Sequence, residues 1–350
     1  MTPVHKGLLH GIAPRLFPSK SKSPLACTPQ NRGFSYVRPP RDKGTIAGRC
    51  CLFLAPTTPW KARGEGLRVK FLLGCELGYQ VAGPSTLVLN IQAARIDRQR
   101  IVRESLDVTP ASVSIEPYIM PESDNRYARL RVPAGALIVR YDAEVELETH
   151  RQDPVTIAEI PPGDLPLAVL PHLFPSRYCP ADKLRSWAAR EFGDLEPGHG
   201  RVTAICNWIY EHLEYCRGSS DTRTSACDTL LERAGVCRDF AHLGITFCRA
   251  LDIPARFVSG YAWGLEPSDF HAVFETYLGD RWYLFDPTRQ ANLDGLVRIG
   301  VGRDAAEVSF ATAFGQVEPT SMTVRIEPSP DRAAADDRSI QAISIVGVGP

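Results

Sequence analysis

An α+β fold is what this chain predicts, and three observations carry the prediction. Residues 67–149 are patterned like strands, residues 180–251 are spaced like helices, and strand patterning returns over 256–285. Helices grouped ahead of an antiparallel sheet, rather than alternating with parallel strands, define that class. At 350 residues the chain has room for two ordinary domains, each with its own core.

The first block contains Ser85–Ile91, Tyr127–Val132 and Leu137–Leu147, short runs of β-branched and aromatic residues set apart by turn residues. In the last run Leu137, Val139, Tyr141, Ala143, Val145 and Leu147 share one parity. Ile138, Arg140, Asp142, Glu144 and Glu146 share the other, so one face is buried and one is wet. Phe71-Leu-Leu-Gly-Cys75, too brief an apolar run for the core of an export signal, reads as a first strand. Together these segments predict a small antiparallel β-domain over 67–150.

A proline-rich connection over 154–175 leads to the second domain, expected over 160–328. Pro180–Phe192 and Gly198–Tyr215 have helical spacing, and Val202, Ile205, Cys206, Ile209 and Leu213 mark one face of the second. Another helix is expected from about Cys237 to Leu251, ended by Pro254. Strands follow at Arg256–Ala262, His271–Leu278 and Arg281–Phe285. Residues 329–350 read as a loosely ordered tail. Residues 1–65, basic and rich in proline without periodicity, read as a disordered segment or as sequence upstream of the native start.

Composition excludes several function classes. Net charge is zero, but residues 1–65 hold eleven Lys/Arg against two acids, a balance of +9, which leaves −9 for the remainder. An acidic body offers no electrostatic footprint to nucleic acid. No run approaches the roughly 18 apolar residues of a membrane span. The ten cysteines are irregularly spaced, without a C-x-x-C pair or an export signal, so reduced thiols in a cytoplasm are expected. H-E-x-x-H, Gly-rich phosphate loops and metal-ligand spacings do not occur, so neither a metal nor an organic cofactor is expected.

The chemistry concentrates on the helix opening at Gly235-Val-Cys237. Its apolar and small residues, Phe240, Ala241, Leu243, Gly244, Phe247, Cys248 and Leu251, cover so much of its circumference that it must be central. Cys237 sits in the first turn, where free N–H groups and the positive end of the dipole favour a sulfur anion and can receive an oxyanion. Cys248, on the same helix, reads as a buried structural thiol.

A thiol nucleophile needs a base, and the base needs an orienting group. Gly279-Asp280 is a two-residue hairpin signal that sets Leu278 opposite Arg281. Counting back, Val273 falls opposite Asp286, and His271 lies diagonally across from Asp286 on one face. Cys237 would attack an amide carbonyl, His271 would carry the proton to the leaving amine, and Asp286 would hold the imidazole tautomer. His242, five residues beyond Cys237, is turned away along its helix and reads as structural. Glu275 reads as a solvated or supporting charge, and Arg238 with Asp239 as an ion pair or cap.

The run Ser225-Ala-Cys-Asp-Thr-Leu-Leu-Glu-Arg-Ala-Gly-Val-Cys-Arg-Asp-Phe-Ala-His-Leu243 resembles the nucleophile motif of the transglutaminase-like superfamily. Asp252-Ile-Pro-Ala-Arg-Phe-Val-Ser-Gly-Tyr261, His271 and Phe285-Asp-Pro-Thr288 resemble its following motifs in order and spacing. Ala272-Val273 stands where the family often has Ala-Trp, as in a bacterial branch, and the β-region resembles that branch's N-terminal domain. The resemblance spans about 67–325. It implies a papain-like core with a central Cys-bearing helix packed on an antiparallel sheet, and thiol-dependent acyl transfer on a peptide or protein amide. Hydrolysis is the expected outcome, glutamine–amine cross-linking is its rival, and a silent scaffold of the same fold is the reading from another class. The second oxyanion donor has no matching position; Tyr215, Trp208 or a residue of 218–221 could supply it. Tyr261 and Trp263 are candidates to line the acyl groove, with Tyr215 beside them.

Overall fold

The computed structural model describes residues 67–329 and 341–349; the expectation for residues 1–65 lies outside the described residues. The β-domain begins with β1 (Leu67–Val81), β2 (Ser85–Leu89), β3 (Gln99–Thr109), β4 (Ile115–Ile119), β5 (Arg126–Val132) and β6 (Gly135–Gln152). Burial alternates along β6 as its two parities demand, with Leu137, Val139, Tyr141, Ala143, Val145 and Leu147 inside.

Short 3-10 turns fill the proline-rich connection. Then come α1 (Ala181–Phe192), α2 (His199–His212), β7 (Glu214–Tyr215), α3 (Ala226–Glu232), β8 (Ala234–Gly235) and α4 (Cys237–Ala250). The second domain's sheet follows as β9 (Ala255–Ala262), β10 (Phe270–Leu278), β11 (Arg281–Phe285) and β12 (Leu296–Gly302), antiparallel in the order β11-β10-β9-β12. The structure is therefore α+β, as expected. Among the described residues no helix is long and apolar enough to cross a membrane.

Two expectations about the C-terminal region need correcting. The second domain was expected to run unbroken over 160–328. Instead β13 (Ala311–Phe314) pairs with β2, and β14 (Val317–Pro328) pairs with β1 from Val81↔Val317 to Phe71↔Pro328. The chain thus returns to the β-domain and completes its sheets. The physical reason is the free edge of β1, whose unpaired N–H and C=O groups need a partner. The tail was expected to be loose, yet β15 (Ala342–Ser344) pairs with β6, and Ile343 and Ile345 are buried.

Among the described residues two large apolar clusters hold the fold, with a small third of Leu165, Val169, Tyr277 and Trp282. One large cluster is shared by the β-domain and the second domain's sheet, joining Phe71, Leu73 and Tyr141 to Val258, Tyr261, Val297 and Ile299. The other lies between that sheet and the helices, where Phe240, Leu243 and Phe247 of α4 meet Phe274 and Phe285. Every residue of α4 from Asp239 to Ala250 is buried. Its close approach to the sheet depends on Gly244, where an added Cβ would lie 2.5 Å from the Phe274 ring. This contact sets the first turn of α4 at the level of the start of β10.

Candidate active site

Cys237 is the first residue of α4, and its start is defined by side chains rather than by an ordinary cap. Val236, at the cap position, has no side-chain acceptor. Asp239 folds back so that its Oδ2 accepts from Val236 N at 2.9 Å, half of a capping box. Gly235 permits this, since a Cβ there would sit 2.8 Å from the Asp239 Cβ. Arg238 donates to the fully buried Asp239 at 2.9 Å and to the backbone oxygen of Asp221 at 2.6 Å. The Arg238–Asp239 pair is a structural clasp that holds the turn carrying the thiol.

The hairpin register is the one counted from Gly279-Asp280: Leu278 pairs with Arg281, and the ladder runs to Phe274↔Phe285. One residue beyond β11, Asp286 meets His271, with Nε2 of the ring 3.0 Å from Oδ2. The other interactions of Asp286 leave it no freedom. Its Oδ1 accepts from Thr288 N at 2.9 Å and from Thr288 Oγ1 at 2.7 Å, and its Oδ2 also accepts from Ala291 N at 2.9 Å. Burial opposes its charge, but His271 and these donors outweigh burial and hold the carboxyl below its ordinary value. Sequence reasoning assigned no role to Thr288, although Asp286-Pro-Thr288 carries the spacing of an Asx turn.

His271 is 1% exposed. Burial disfavours its charged form, yet the Asp286 carboxylate and the neighbouring Cys237 side chain push the ring up to about 10. At neutral pH it is an imidazolium. With Nε2 committed to Asp286, Nδ1 is the nitrogen left for the thiol. Among the described residues no atom completes a hydrogen bond with Nδ1, but Cys237 is near enough to favour the protonated ring. The sulfur, half-buried, thus lies between an imidazolium and a helix N-terminus, two positive surroundings that suit a sulfur anion.

The third partner is Tyr215. Strands β7 and β8 are two residues each and pair in parallel, Glu214 with Ala234 and Tyr215 with Gly235. This pairing brings the Tyr215 phenol beside Cys237, close enough for the sulfur to perturb it. Burial, then the adjacent sulfur, hold the phenol protonated well above its ordinary value, so it remains a donor. Arg217 and Asp269 stand 3.9 Å apart beside this group, and burial raises the Asp269 carboxyl.

The other candidates lie elsewhere. Trp208 is stacked on His212 at 4.1 Å and edge-on to Trp187 at 4.9 Å, inside an aromatic cluster with Phe247. Residues 218–221 meet the site through the Asp221 carbonyl that accepts from Arg238, an oxygen and not a donor. Tyr261 and Trp263, expected along an acyl groove, make their contacts towards the β-domain. Tyr261 is fully buried and donates to Ile91 O at 2.7 Å, while the Trp263 ring lies 6.3 Å from Phe71. The reason is that this end of β9 is covered by β1 and the chain beyond β2, a long-range packing that strand periodicity does not encode.

His242 is buried, stacked on Tyr178 at 5.0 Å, with Nε2 accepting from Ala305 N at 3.1 Å. Burial above all pushes it down to about 3, so it is neutral and structural, as expected. Glu275, expected to be solvated or supporting, is fully buried between Arg256 and Arg298. Among the described residues no group of three His, Cys, Asp or Glu side chains could hold a metal ion.

Comparison with known proteins gives the same organisation. Residues 185–287 match the pattern of the Transglutaminase-like superfamily, and residues 69–162 match the Bacterial transglutaminase, N-terminal domain. Among solved structures, a candidate cysteine protease from Cytophaga hutchinsonii is 42% identical with a TM-score of 0.75, over 80% of this chain and 98% of that one. An uncharacterised protein of Mycobacterium leprae is 27% identical over 254 residues, 66% of this chain and 88% of its own length. One from Mycobacterium tuberculosis is 31% identical over 142 residues, 36% of this chain and 45% of that protein.

Proposed function

The chain belongs to the transglutaminase-like superfamily, and from that premise we propose that it is a thiol hydrolase of peptide or protein amides, acting through Cys237, His271 and Asp286. The observation that carries the reading is the 3.0 Å bond from His271 Nε2 to Asp286, which leaves Nδ1 to the thiol.

In the proposed reactive form the thiol proton is held by His271, so sulfur acts as the nucleophile beside an imidazolium. Sulfur attacks the amide carbonyl, and the carbonyl π-pair moves onto oxygen. The Cys237 N–H and the Tyr215 hydroxyl supply two donors for that oxyanion, in a site where such donors are fixed in advance. His271 then passes its Nδ1 proton to the departing nitrogen, the C–N bond breaks, and an acyl-thioester remains on Cys237 with neutral imidazole beside it. Water enters, His271 removes its proton, and the second tetrahedral species collapses to release the acid and restore the sulfur anion and imidazolium. Asp286 keeps the same ring orientation through both halves.

An amine could replace water in the second half, giving cross-linked glutamine products. The similarity to a candidate cysteine protease supports the hydrolytic outcome. Peptide and glutamine-amide libraries incubated with the wild type and with Cys237→Ala, then read by mass spectrometry, distinguish these products. Cleaved or deamidated peptides made only by the wild type are expected; amine adducts in their place would overturn hydrolysis, and identical spectra for the two proteins would leave a scaffold.

A further inference from the structure

Beside the nucleophile stands a charged pair that the proposed mechanism does not use. Arg217 follows Tyr215 by two residues, and Asp269 precedes His271 by two. Two residues span at most about 7 Å of chain, so each member of the pair stays close to its neighbour in the site. The Arg217 guanidinium lies 3.9 Å from the Asp269 carboxylate, and its charge acts on the Tyr215 phenol as well. Asp269 in turn feels His271. The pair therefore lies next to the two side chains that flank Cys237.

Arg217 is held differently from the other cations near the site. Arg238 donates to Asp239 and to the Asp221 carbonyl, and Arg289 donates to Asn207 at 2.6 Å with its guanidinium over the Tyr210 ring. Among the described residues the Arg217 guanidinium makes no hydrogen bond, and 3.9 Å to Asp269 is too long for one. Its side chain is 49% exposed, against 29% for Asp269. Asp269 is also the weaker charge of the two: its Oδ1 accepts from Phe270 N at 2.8 Å, and burial raises its carboxyl. The outward side of the pair is therefore cationic. A guanidinium with its N–H donors open suits a carboxylate, which it can take in two parallel hydrogen bonds. A cationic group on a substrate would meet Arg217 first and be repelled.

We infer that Arg217 selects amide substrates carrying a carboxylate within one or two residues of the bond to be broken, as an acidic side chain or a free chain terminus. The inference rests on the function proposed above and names the substrate class of the same site. Arg217 determines specificity by holding a charge on the substrate and takes no part in making or breaking bonds.

Alkylation of Cys237 in the full-length protein by N-chloroacetyl compounds, in which sulfur displaces chloride, tests it without requiring turnover. Chloroacetyl-glycine offers a terminal carboxylate and chloroacetyl-aspartate α-amide a side-chain one. Chloroacetyl-glycinamide and chloroacetyl-asparagine amide are their neutral counterparts. Rates at Cys237 are read by peptide mass spectrometry and divided by those with β-mercaptoethanol. At least one acid should react about fivefold faster than its neutral counterpart, and which one does so identifies the source of the carboxylate. In Arg217→Gln that ratio should fall at least about threefold, and Asp269→Asn, which removes the present partner of Arg217, should raise it. Equal rates for each acid and its counterpart, or a ratio that Arg217→Gln leaves unchanged or Asp269→Asn lowers, would overturn the inference and leave the proposed function standing. Failure of all four compounds to alkylate Cys237 would overturn both.

Discussion

The two ends of α4 each carry a cysteine, and the fold treats them in opposite ways. Cys237 at the N-terminal end is half-buried, faces an imidazolium and stands beside a phenol. Cys248, three turns on, is fully buried, and loss of solvent drives its thiol well above the ordinary value. Beside it Arg249, also buried, donates to the backbone oxygens of Phe174, Ala255 and Arg303. One end of the helix thus sets a sulfur beside a buried histidine and a phenol, and the other ties chain segments together. The residue type is the same at both ends; surroundings decide which is chemistry and which is packing.

Replacing each cysteine by alanine breaks the comparison most directly. Cys237→Ala should lower kcat/KM by about 10⁴-fold or more while leaving unfolding in urea almost unchanged. Cys248→Ala should do the reverse, with activity retained and stability lowered by about 1 kcal/mol.

Asp286→Asn should cost about 10³- to 10⁴-fold in kcat. It should also move the alkaline limb of the pH profile. His271 is raised to about 10 from an ordinary 6.5, so wild-type activity should persist until pH approaches about 10 and fall beyond it. Without the carboxylate the limb should shift towards neutrality. The sign for stability follows from the same values. The contribution of the His271–Asp286 pair is complete below the unfolded value of 6.5 and is lost as pH rises through about 10. Urea titrations of wild type across that window should show the decline, and Asp286→Asn should flatten it.

Tyr215→Phe tests the donor that β7 delivers. A fall of about 10²-fold in kcat with little change in KM is expected, since the oxyanion exists only in the transition state. A fall confined to KM would make Tyr215 a binding residue. With no expected effect on catalysis, Arg249→Met should leave the pH profile in place and cost about 2–3 kcal/mol in stability, because its carbonyl partners lose their donor.

The grouping of Cys237, His271 and Asp286 was legible because each has a local signature. A cysteine opens a helix whose apolar positions make it central, and a two-residue turn fixes the register that joins His271 to Asp286. The position of Tyr215 was legible only as a candidate. Its delivery to Cys237 depends on two-residue strands paired across nineteen intervening positions, far too short to leave a periodic pattern. Tyr261 and Trp263 failed for a related reason. Alternation along β9 shows that a strand has two faces, but not that the far end of one is covered by the β-domain. The return of β14 and β15 to that domain is likewise a long-range pairing without a local signal.

A burst experiment with p-nitrophenyl acetate, quenched in acid and mapped by peptide mass spectrometry, tests the central claim most directly. Wild type should release about one equivalent of nitrophenol and carry a single acetyl group on Cys237, with the burst absent in Cys237→Ala and strongly slowed in His271→Ala. Acetylation of another residue, or a burst that survives the loss of Cys237, would contradict it.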